Sequence, residues 1–291
     1  MRQGPDTGGA AAPPETGAAG GGPAELPGSE VLPLAGPGGP MRLFLARPPG
    51  PPPPQGYALV LALDAAFTFG TLREAALLQS GGAAESGVAK VLVAALGYPT
   101  PDWQDMARRE TDLTGPEAPP AAGRAATLTF LEHEVLPRIA ARAPLDARRR
   151  MLLGHSFGGY FALRALADRP GLFSHVVASS PSVWVDPGAV SAGIAGLAAP
   201  GPGPVRVLVS VGDEEEAGVA LARSGPAPDP ARLARLRARH MVPRAREAAA
   251  ALAARPGIDA AFHLFEAAGH GSVVAPMIAR ALRLLAGPPG D

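Results

Sequence analysis

Three continuous runs of apolar residues constrain the fold more than any other feature of this chain. They are YALVLAL at Tyr57–Leu63, KVLVAAL at Lys90–Leu96 and VRVLVSV at Val205–Val211. A strand that is apolar throughout is covered on both faces, as in a parallel sheet. Segments of helical character follow such runs, among them Leu72–Gln79, Thr127–Ala141, Pro230–Ala254, in which Pro243 marks a break or kink, and Val274–Leu285. The alternation predicts one α/β domain, with seven or eight strands in a mostly parallel central sheet and helices on both faces.

Glycine and proline divide the chain into two parts. There are 37 Gly and 35 Pro among 291 residues, a level at which disorder has to be considered. Of the first 56 residues, 27 are Gly or Pro, and residues 1–28 lack an apolar run that would offset the entropy cost of ordering. We therefore expect a disordered low-complexity tail at 1–28 and a single folded domain at 29–287.

Charge and cysteine content exclude several classes of function. The 26 basic and 26 acidic residues give a formal net charge of zero, whereas nucleic-acid binding needs a basic face. The chain has no cysteine, which excludes disulfides, thiolate metal sites and a cysteine nucleophile. It has neither a signal-peptide pattern nor an apolar stretch long enough for a membrane span. We expect a cytoplasmic protein with no nucleic-acid or membrane partner, and the sequence leaves its oligomeric state open.

The segment Gly154-His155-Ser156-Phe157-Gly158 fits the pattern G-x-S-x-G of a nucleophile elbow. An apolar strand end precedes it and a helical stretch follows, as the sharp strand-to-helix turn of an elbow requires. Such a turn lifts the Ser156 hydroxyl above the sheet edge, beside the free N–H groups of a helix N-terminus. The alternative is a glycine-rich turn with a solvated serine.

His270 is the candidate base for Ser156. It lies in a loop of small residues between the last apolar strand and the last helix. When the nucleophile occupies an elbow, the chain order is Ser, acid, His, which places the base near the C-terminus. We expect His155 to point away from the site and His133 and His240 to be solvated. The alternative for His270 is a turn or capping histidine.

The candidate acid follows the apolar run that ends at Val211. Four acidic residues stand there, Asp213, Glu214, Glu215 and Glu216. A carboxylate at this strand end can accept the Nδ1–H of the histidine and stabilise the imidazolium. Glu215 is the first choice because the third residue after the glycine of a tight turn bends back, while the other acids remain open, as does a Ser–His dyad.

The oxyanion hole requires two N–H donors about 3 Å from the developing anion. The first is the backbone N–H of Phe157, the residue after the nucleophile. The second is expected from the loop after the early strand that ends at Leu63, with Ala66 as first choice and Ala65 as second.

Several further motifs, in a consistent order over about residues 29–286, resemble one family: the bacterial esterases of the α/β-hydrolase superfamily that include the enterobactin and bacillibactin esterases. The motifs are Leu61–Phe69, Leu96–Tyr98 with Arg109–Thr114, Phe130–Pro137, Ser180–Asp186 and Gly269–Val273. The resemblance also places the acid at Glu215, in a G-x-x-E pattern. The chain departs from the family at Ala65, where a glycine is usual, and at Val185, which replaces a second tryptophan.

The resemblance implies an α/β-hydrolase fold and a serine ester hydrolase acting through an acyl-enzyme, without cofactor or metal. The substrate would be a small-molecule ester, with a ferric siderophore as one candidate. Trp184 would then stack on an aromatic ring of the substrate and Arg109 would meet its charge. The alternatives are a core position for Trp184 and an ion pair between Arg109 and Asp112. An acyltransferase or thioesterase on the same fold, or a non-catalytic binding domain, are the competing functions.

Overall fold

Eight strands form one mixed sheet in the computed structural model, which describes residues 25–100, 102–116, 122–201, 203–216 and 229–286. The spatial order of the strands is β1-β2-β4-β3-β5-β6-β7-β8. The strands are β1 Ser29–Gly36, β2 Gly39–Ala46, β3 Tyr57–Leu63, β4 Val91–Gly97, β5 Leu145–His155, β6 His175–Ser179, β7 Val205–Gly212 and β8 Ile258–Phe265.

The strands from β3 to β8 are parallel to one another, which confirms the mostly parallel sheet expected from the sequence. Strand β2 is antiparallel to β4, and β1 is antiparallel to β2. The sequence pattern did not identify β1 as a strand. It is a partly exposed edge strand with Pro33 in its middle, and proline is tolerated there because one side of an edge strand has no partner.

Helices cover both faces of the sheet. They are α1 Ala65–Gly81, α2 Ala83–Ser86, α3 Met106–Thr114, α4 Arg124–Phe130, α5 Leu136–Ala140, α6 Phe157–Asp168, α7 Pro187–Ala195, α8 Pro230–Arg239, α9 Met241–Ala253 and α10 Val274–Leu282. A π-helical turn, Leu131–Val135, joins α4 to α5. Short 3₁₀ turns occupy Val183–Val185, Asp213–Glu215 and Arg283–Leu285.

Strand β3 shows how the sheet separates two cores. Its seven residues are all buried, and successive side chains point to opposite faces. Leu59 and Leu61 join the core that includes residues of α4, α6, α7 and α9. Val60 and Ala62 join the core on the other face, with residues of α1 and α10. This double coverage explains why the strand sequence is apolar throughout.

Two local differences separate this structure from the pattern-based prediction. Helix α1 begins at Ala65, well before the Leu72–Gln79 segment that the periodicity indicates, and Asp64 precedes it with a left-handed φ of 61°. The predicted Pro230–Ala254 helix breaks at His240, with φ 45°, rather than at Pro243. Pro243 lies in the first turn of α9, where its missing N–H costs no hydrogen bond.

Of the expected tail, residues 1–24 lie outside the described residues, as does residue 287 at the other end of the expected domain. Residues 25–28 lead into β1, and the Leu26 carbonyl accepts a hydrogen bond from the Ser29 N–H at 3.1 Å. Among the described residues, no helix combines the length and apolar character needed to span a membrane.

Candidate active site

Ser156 occupies a strained turn between the end of β5 and the start of α6. Its backbone angles are φ 61° and ψ −116°, a region that residues with a side chain rarely adopt. Gly154 allows the turn, because a Cβ there would lie 2.0 Å from the Gly158 carbonyl oxygen. The Ser156 N–H donates to the Ser179 carbonyl at 2.9 Å, and its carbonyl accepts from the Ser182 N–H at 3.0 Å. Residues from the end of β6 and just beyond it thus fix the strained backbone.

The carboxylate of Glu215 contacts His270 across the loops that follow β7 and β8. Glu215 Oε2 lies 2.6 Å from His270 Nδ1. Its other oxygen, Oε1, accepts hydrogen bonds from Ser180 Oγ at 2.5 Å and from the Gly212 N–H at 3.0 Å. The Glu215 side chain is 3% exposed, whereas that of His270 is 48% exposed. A buried, fully hydrogen-bonded acid is therefore paired with a histidine that substrate can reach.

The other three acids of the run have different surroundings. Asp213 Oδ1 accepts from the Ala268 N–H at 3.2 Å, which ties the β7 loop to the β8 loop. Glu216 Oε2 accepts from the Val242 N–H at 3.4 Å. Glu214 lines the cavity beside the site. Of the four candidates, Glu215 is the one that the fold brings to His270.

The Ser156 hydroxyl lies close to a second serine. Ser182 Oγ is 3.4 Å from Ser156 Oγ. Ser156 and His270 line the same two cavities, yet no hydrogen bond between their side chains is present among the described residues. Such bonds are often long in ligand-free sites and shorten when substrate binds.

The residues expected to form the oxyanion hole lie at two helix N-termini. Phe157 is the first residue of α6, and Ala65 and Ala66 are the first two of α1. First-turn N–H groups have no acceptor within their own helix. Ala66 is exposed and Ala65 is buried, while the Phe67 N–H already donates to the Asp64 carbonyl at 3.1 Å.

Arg109 is buried and anchors the backbone on both sides of the site. Its Nε and Nη2 donate to the two carboxylate oxygens of Asp64 at 2.6 and 2.8 Å, and Nη2 also donates to the His155 carbonyl at 3.0 Å. The expected alternative, an ion pair with Asp112, is wrong: Asp112 pairs with Arg108 at 3.3 Å. The sequence spacing suggested a contact within the helix, but the helix turns Arg109 inward, towards the strand end that carries Asp64.

His155 does not point away from the site, contrary to expectation. Its ring centroid is 4.6 Å from that of His270 and 6.2 Å from that of Phe67. This histidine lines the first cavity beside Ser156 and His270. Burial lowers the pKa of His155 well below its usual value, which keeps the ring neutral beside His270.

Two cavities meet at Ser156 and His270. The first, of about 530 Å³, has a largely aromatic and apolar wall that includes Phe67, Trp103 and Val274. The second, of about 470 Å³, is lined by Ser182, Trp184, Glu214, Leu236, Arg239 and Met241, among others. No group of three or more His, Asp or Glu side chains within the described segments is placed to hold a metal ion.

Trp184 is partly buried against the core and also forms part of the second cavity. Its ring lies 6.1 Å from that of Phe157 and 4.6 Å from the guanidinium carbon of Arg239. Arg239, Ser182 and Ser180 were not assigned a role from the sequence. Ser180 and Ser182 belong to a motif that the resemblance includes, whereas Arg239 ends a helix whose position depends on tertiary packing.

Comparison with known proteins assigns the chain to one family. A family model described as "Putative esterase" matches residues 35–240. The ferri-bacillibactin esterase BesA of Bacillus subtilis is 28% identical over 264 residues, 85% of either chain. A siderophore triacetylfusarinine C esterase of Aspergillus fumigatus is 37% identical over 131 residues, covering 43% of this chain and 44% of that protein.

Solved structures show the same fold. The siderophore hydrolase EstB of Aspergillus nidulans superposes with a TM-score of 0.78 at 25% identity, covering 91% of this chain and 98% of the other. The BES protein of Bacillus cereus gives a TM-score of 0.77 at 24% identity, covering 92% and 100%. The α/β-hydrolase fold and the ester-hydrolase activity predicted from the sequence are confirmed, and the chain belongs to the Putative esterase family.

Proposed function

We propose that this chain hydrolyses siderophore esters through an acyl-enzyme on Ser156, with His270 as general base and Glu215 as the acid that orients it. One observation carries the proposal: the 2.6 Å contact from the buried Glu215 carboxylate to His270 Nδ1, beside a serine held in a strained elbow. The acidic partner fixes the tautomer in which Nε2 is free to take the serine proton.

The reaction has two balanced halves. In the first, Ser156 Oγ attacks the ester carbonyl carbon while His270 Nε2 takes its proton, and the tetrahedral oxyanion is bound by the N–H groups of Phe157 and Ala66. Collapse breaks the bond to the alcohol, which leaves with the proton from His270. In the second half, water attacks the acyl carbon while His270 takes its proton. The bond to Ser156 Oγ then breaks, His270 returns the proton to Ser156, and the carboxylic acid is released.

The size of the site supports a bulky ester. Each cavity, at about 530 and 470 Å³, lies within the range of about 300–1,000 Å³ typical of sites for drug-sized ligands. Because both cavities open onto Ser156, one ester can place its acyl and alcohol parts on opposite sides of the nucleophile. The relatives named for bacillibactin and triacetylfusarinine C indicate siderophores as the class to test.

Hydrolysis of 4-nitrophenyl acetate and butyrate by the wild type and Ser156→Ala tests the nucleophile. We expect kcat to fall by about 10⁴-fold or more in Ser156→Ala, as for other serine hydrolases that lose the nucleophile. Ser191→Ala, an exposed serine on α7, is the matched control and should retain wild-type activity. An active Ser156→Ala variant, or a wild type that does not react with a fluorophosphonate probe, would refute the assignment.

A panel of ferric siderophores then tests the substrate class. Ferric bacillibactin, enterobactin and triacetylfusarinine C would be incubated with the enzyme and the products identified by mass spectrometry. We expect linear and monomeric acids, formed by net addition of water. If added alcohols are acylated in preference to water, the chain is an acyltransferase. If simple esters are cleaved and no siderophore is, the siderophore assignment is wrong while the esterase assignment stands.

A further inference from the structure

Arg239 presents a cation to the second cavity beside the nucleophile. It is the last residue of α8, and its guanidinium carbon lies 4.6 Å from the centre of the Trp184 ring. Stacking on the indole uses one face of the guanidinium and leaves its N–H edge available. In the part of the chain that the structure describes, the side chain of Arg239 has no hydrogen bond or ion pair.

The other charged groups of this cavity are already engaged within the protein. Arg109 is neutralised by its bidentate pair with Asp64. Both oxygens of Glu215 are occupied, and Glu214 also has an interaction partner in the chain. Among the described residues that line this cavity, Arg239 is therefore the charged group that remains available to a substrate.

We propose that Arg239, held against Trp184, is a specificity residue that selects esters carrying an anionic oxygen group, such as a carboxylate or a deprotonated catechol. The inference rests on the proposed function, since it concerns the substrate of that same site. A guanidinium pairs with two acceptor oxygens in one plane, which a carboxylate and a catecholate both present. The stacked indole orders the arginine side chain before substrate arrives, so less conformational entropy is lost on binding.

Three simple esters distinguish an effect of substrate charge from an effect on ester hydrolysis in general. 4-Nitrophenyl butyrate is neutral, 4-nitrophenyl hydrogen glutarate carries its charge on the acyl part, and 4-butyryloxybenzoate carries it on the alcohol part. The quantity measured is the ratio of kcat/KM for each anionic ester to kcat/KM for the neutral one. In Arg239→Met we expect this ratio to fall about tenfold for the ester whose charge reaches the arginine, the loss of one charge-assisted contact. The ester that responds identifies which product group occupies the second cavity.

Two further variants and a change in salt concentration complete the test. Arg239→Lys keeps the charge but not the planar stacking, so its ratio should lie between those of wild type and Arg239→Met. Arg237→Met removes an equal charge from an exposed position two residues away on the same helix, which faces elsewhere, and should leave the ratio unchanged. Raising salt from about 0.05 to about 0.5 M should lower the ratio in the wild type but not in Arg239→Met.

The outcomes distinguish the two proposals. If Arg239→Met changes neither ratio by more than about twofold while keeping the wild-type melting temperature, Arg239 does not select charge and the inference is overturned. The same conclusion follows if Arg237→Met lowers the ratio equally, because the effect is then one of overall charge. A wild type that cleaves none of the three esters refutes the proposed function, and the inference with it.

Discussion

The ion pair between Arg109 and Asp64 gives the sharpest test of how this site is built. Arg109 is 2% exposed and Asp64 is 6% exposed. Replacing Arg109 with Met removes the two contacts to the Asp64 carboxylate and the contact to the His155 carbonyl. The stem of methionine fills part of the same space, so the loss is mainly one of charge and hydrogen bonds.

The expected loss of stability follows from the burial of the pair. Breaking a buried pair by removing one partner costs about 3–5 kcal/mol, because the remaining charge stays buried without compensation. For a domain of this size, a change of about 1 kcal/mol shifts the melting temperature by about 2–4 °C. We therefore expect Arg109→Met to lower the melting temperature by on the order of 10 °C. The double variant Asp64→Asn with Arg109→Met should be more stable than Arg109→Met alone, since it leaves no unpaired charge.

The position of the Arg109–Asp64 pair also predicts a loss of activity that affects kcat more than KM. Asp64 precedes Ala66, the proposed oxyanion donor, and His155 precedes Ser156. Arg109 thus joins the two backbone segments that would bind the oxyanion. Loss of one such donor costs about 10²–10³ in kcat. We expect kcat to fall by up to this factor with KM little changed, and the double variant should recover stability without recovering kcat.

Thermal unfolding and esterase kinetics on the same samples check both expectations. Arg138→Met is the matched control, because its pair with Glu134 is exposed at 55% and 54%. An exposed pair contributes about 0–1 kcal/mol, so this control should unfold and react like the wild type. If Arg109→Met keeps its melting temperature and raises KM instead, Arg109 binds substrate directly and the positioning argument is refuted.

Three further expectations follow from the structure. Glu215→Gln should lower kcat by about 10⁴-fold without loss of fold, as when the acid of a comparable triad is made neutral. Asp213→Asn should lower kcat much less. Equal losses of kcat in the two variants would contradict the assignment of Glu215 as the acid. Gly154→Ala should prevent stable folding because its Cβ would lie 2.0 Å from a carbonyl oxygen. Gly70→Ala, in open space on α1, should instead raise the unfolding free energy by about 0.5–1 kcal/mol. The yield of folded protein and the melting temperature of each variant test both expectations. Burial lowers the pKa of His175 to about 4, so the unfolded chain, with a histidine pKa of about 6.5, takes up the proton first as the pH falls. The contribution of His175 to the free energy of unfolding is full above pH 6.5 and is lost on acidification towards pH 4, by up to about 1.4 kcal/mol per pH unit. Urea unfolding across this range should show a weaker pH dependence of the unfolding free energy in His175→Gln. An unchanged pH dependence would refute the role of His175.

The fold was predictable because local patterns report it directly. Continuous apolar runs such as Tyr57–Leu63 are a property of the strand itself, and the sheet that they predicted is the one observed. The edge strand Ser29–Gly36 was missed because one face of it is exposed and its pattern is weak. The positions of helix starts were also less predictable, since Asp64 caps α1 through a left-handed backbone rather than through a side-chain bond.

The site was predictable only where a residue is fixed by its place along the chain. Ser156 and Glu215 follow strand ends, and the sequence placed both there. The environments of Arg109 and His155 depend on which elements pack against them, so the alternative pair of Arg109 with Asp112 and the predicted direction of His155 were wrong. The catalytic and oxyanion roles of these residues stay predictions.

The arrangement of strand ends explains why one edge of the sheet carries all of this chemistry. The strand order reverses at β3, so the connections from β3 and β5 leave on opposite faces and open a crevice at their carboxyl ends. Asp64 and Ser156 lie on the two sides of that crevice, and Arg109 spans it. From Ser156 the site continues along consecutive neighbouring strands: Ser180 after β6 donates to Glu215 after β7, which contacts His270 after β8. Because each link crosses to the adjacent strand, the register of the parallel sheet sets the distances of the whole site. A substitution that shifts one of these strands slightly should therefore lower kcat and leave the affinity for substrate unchanged.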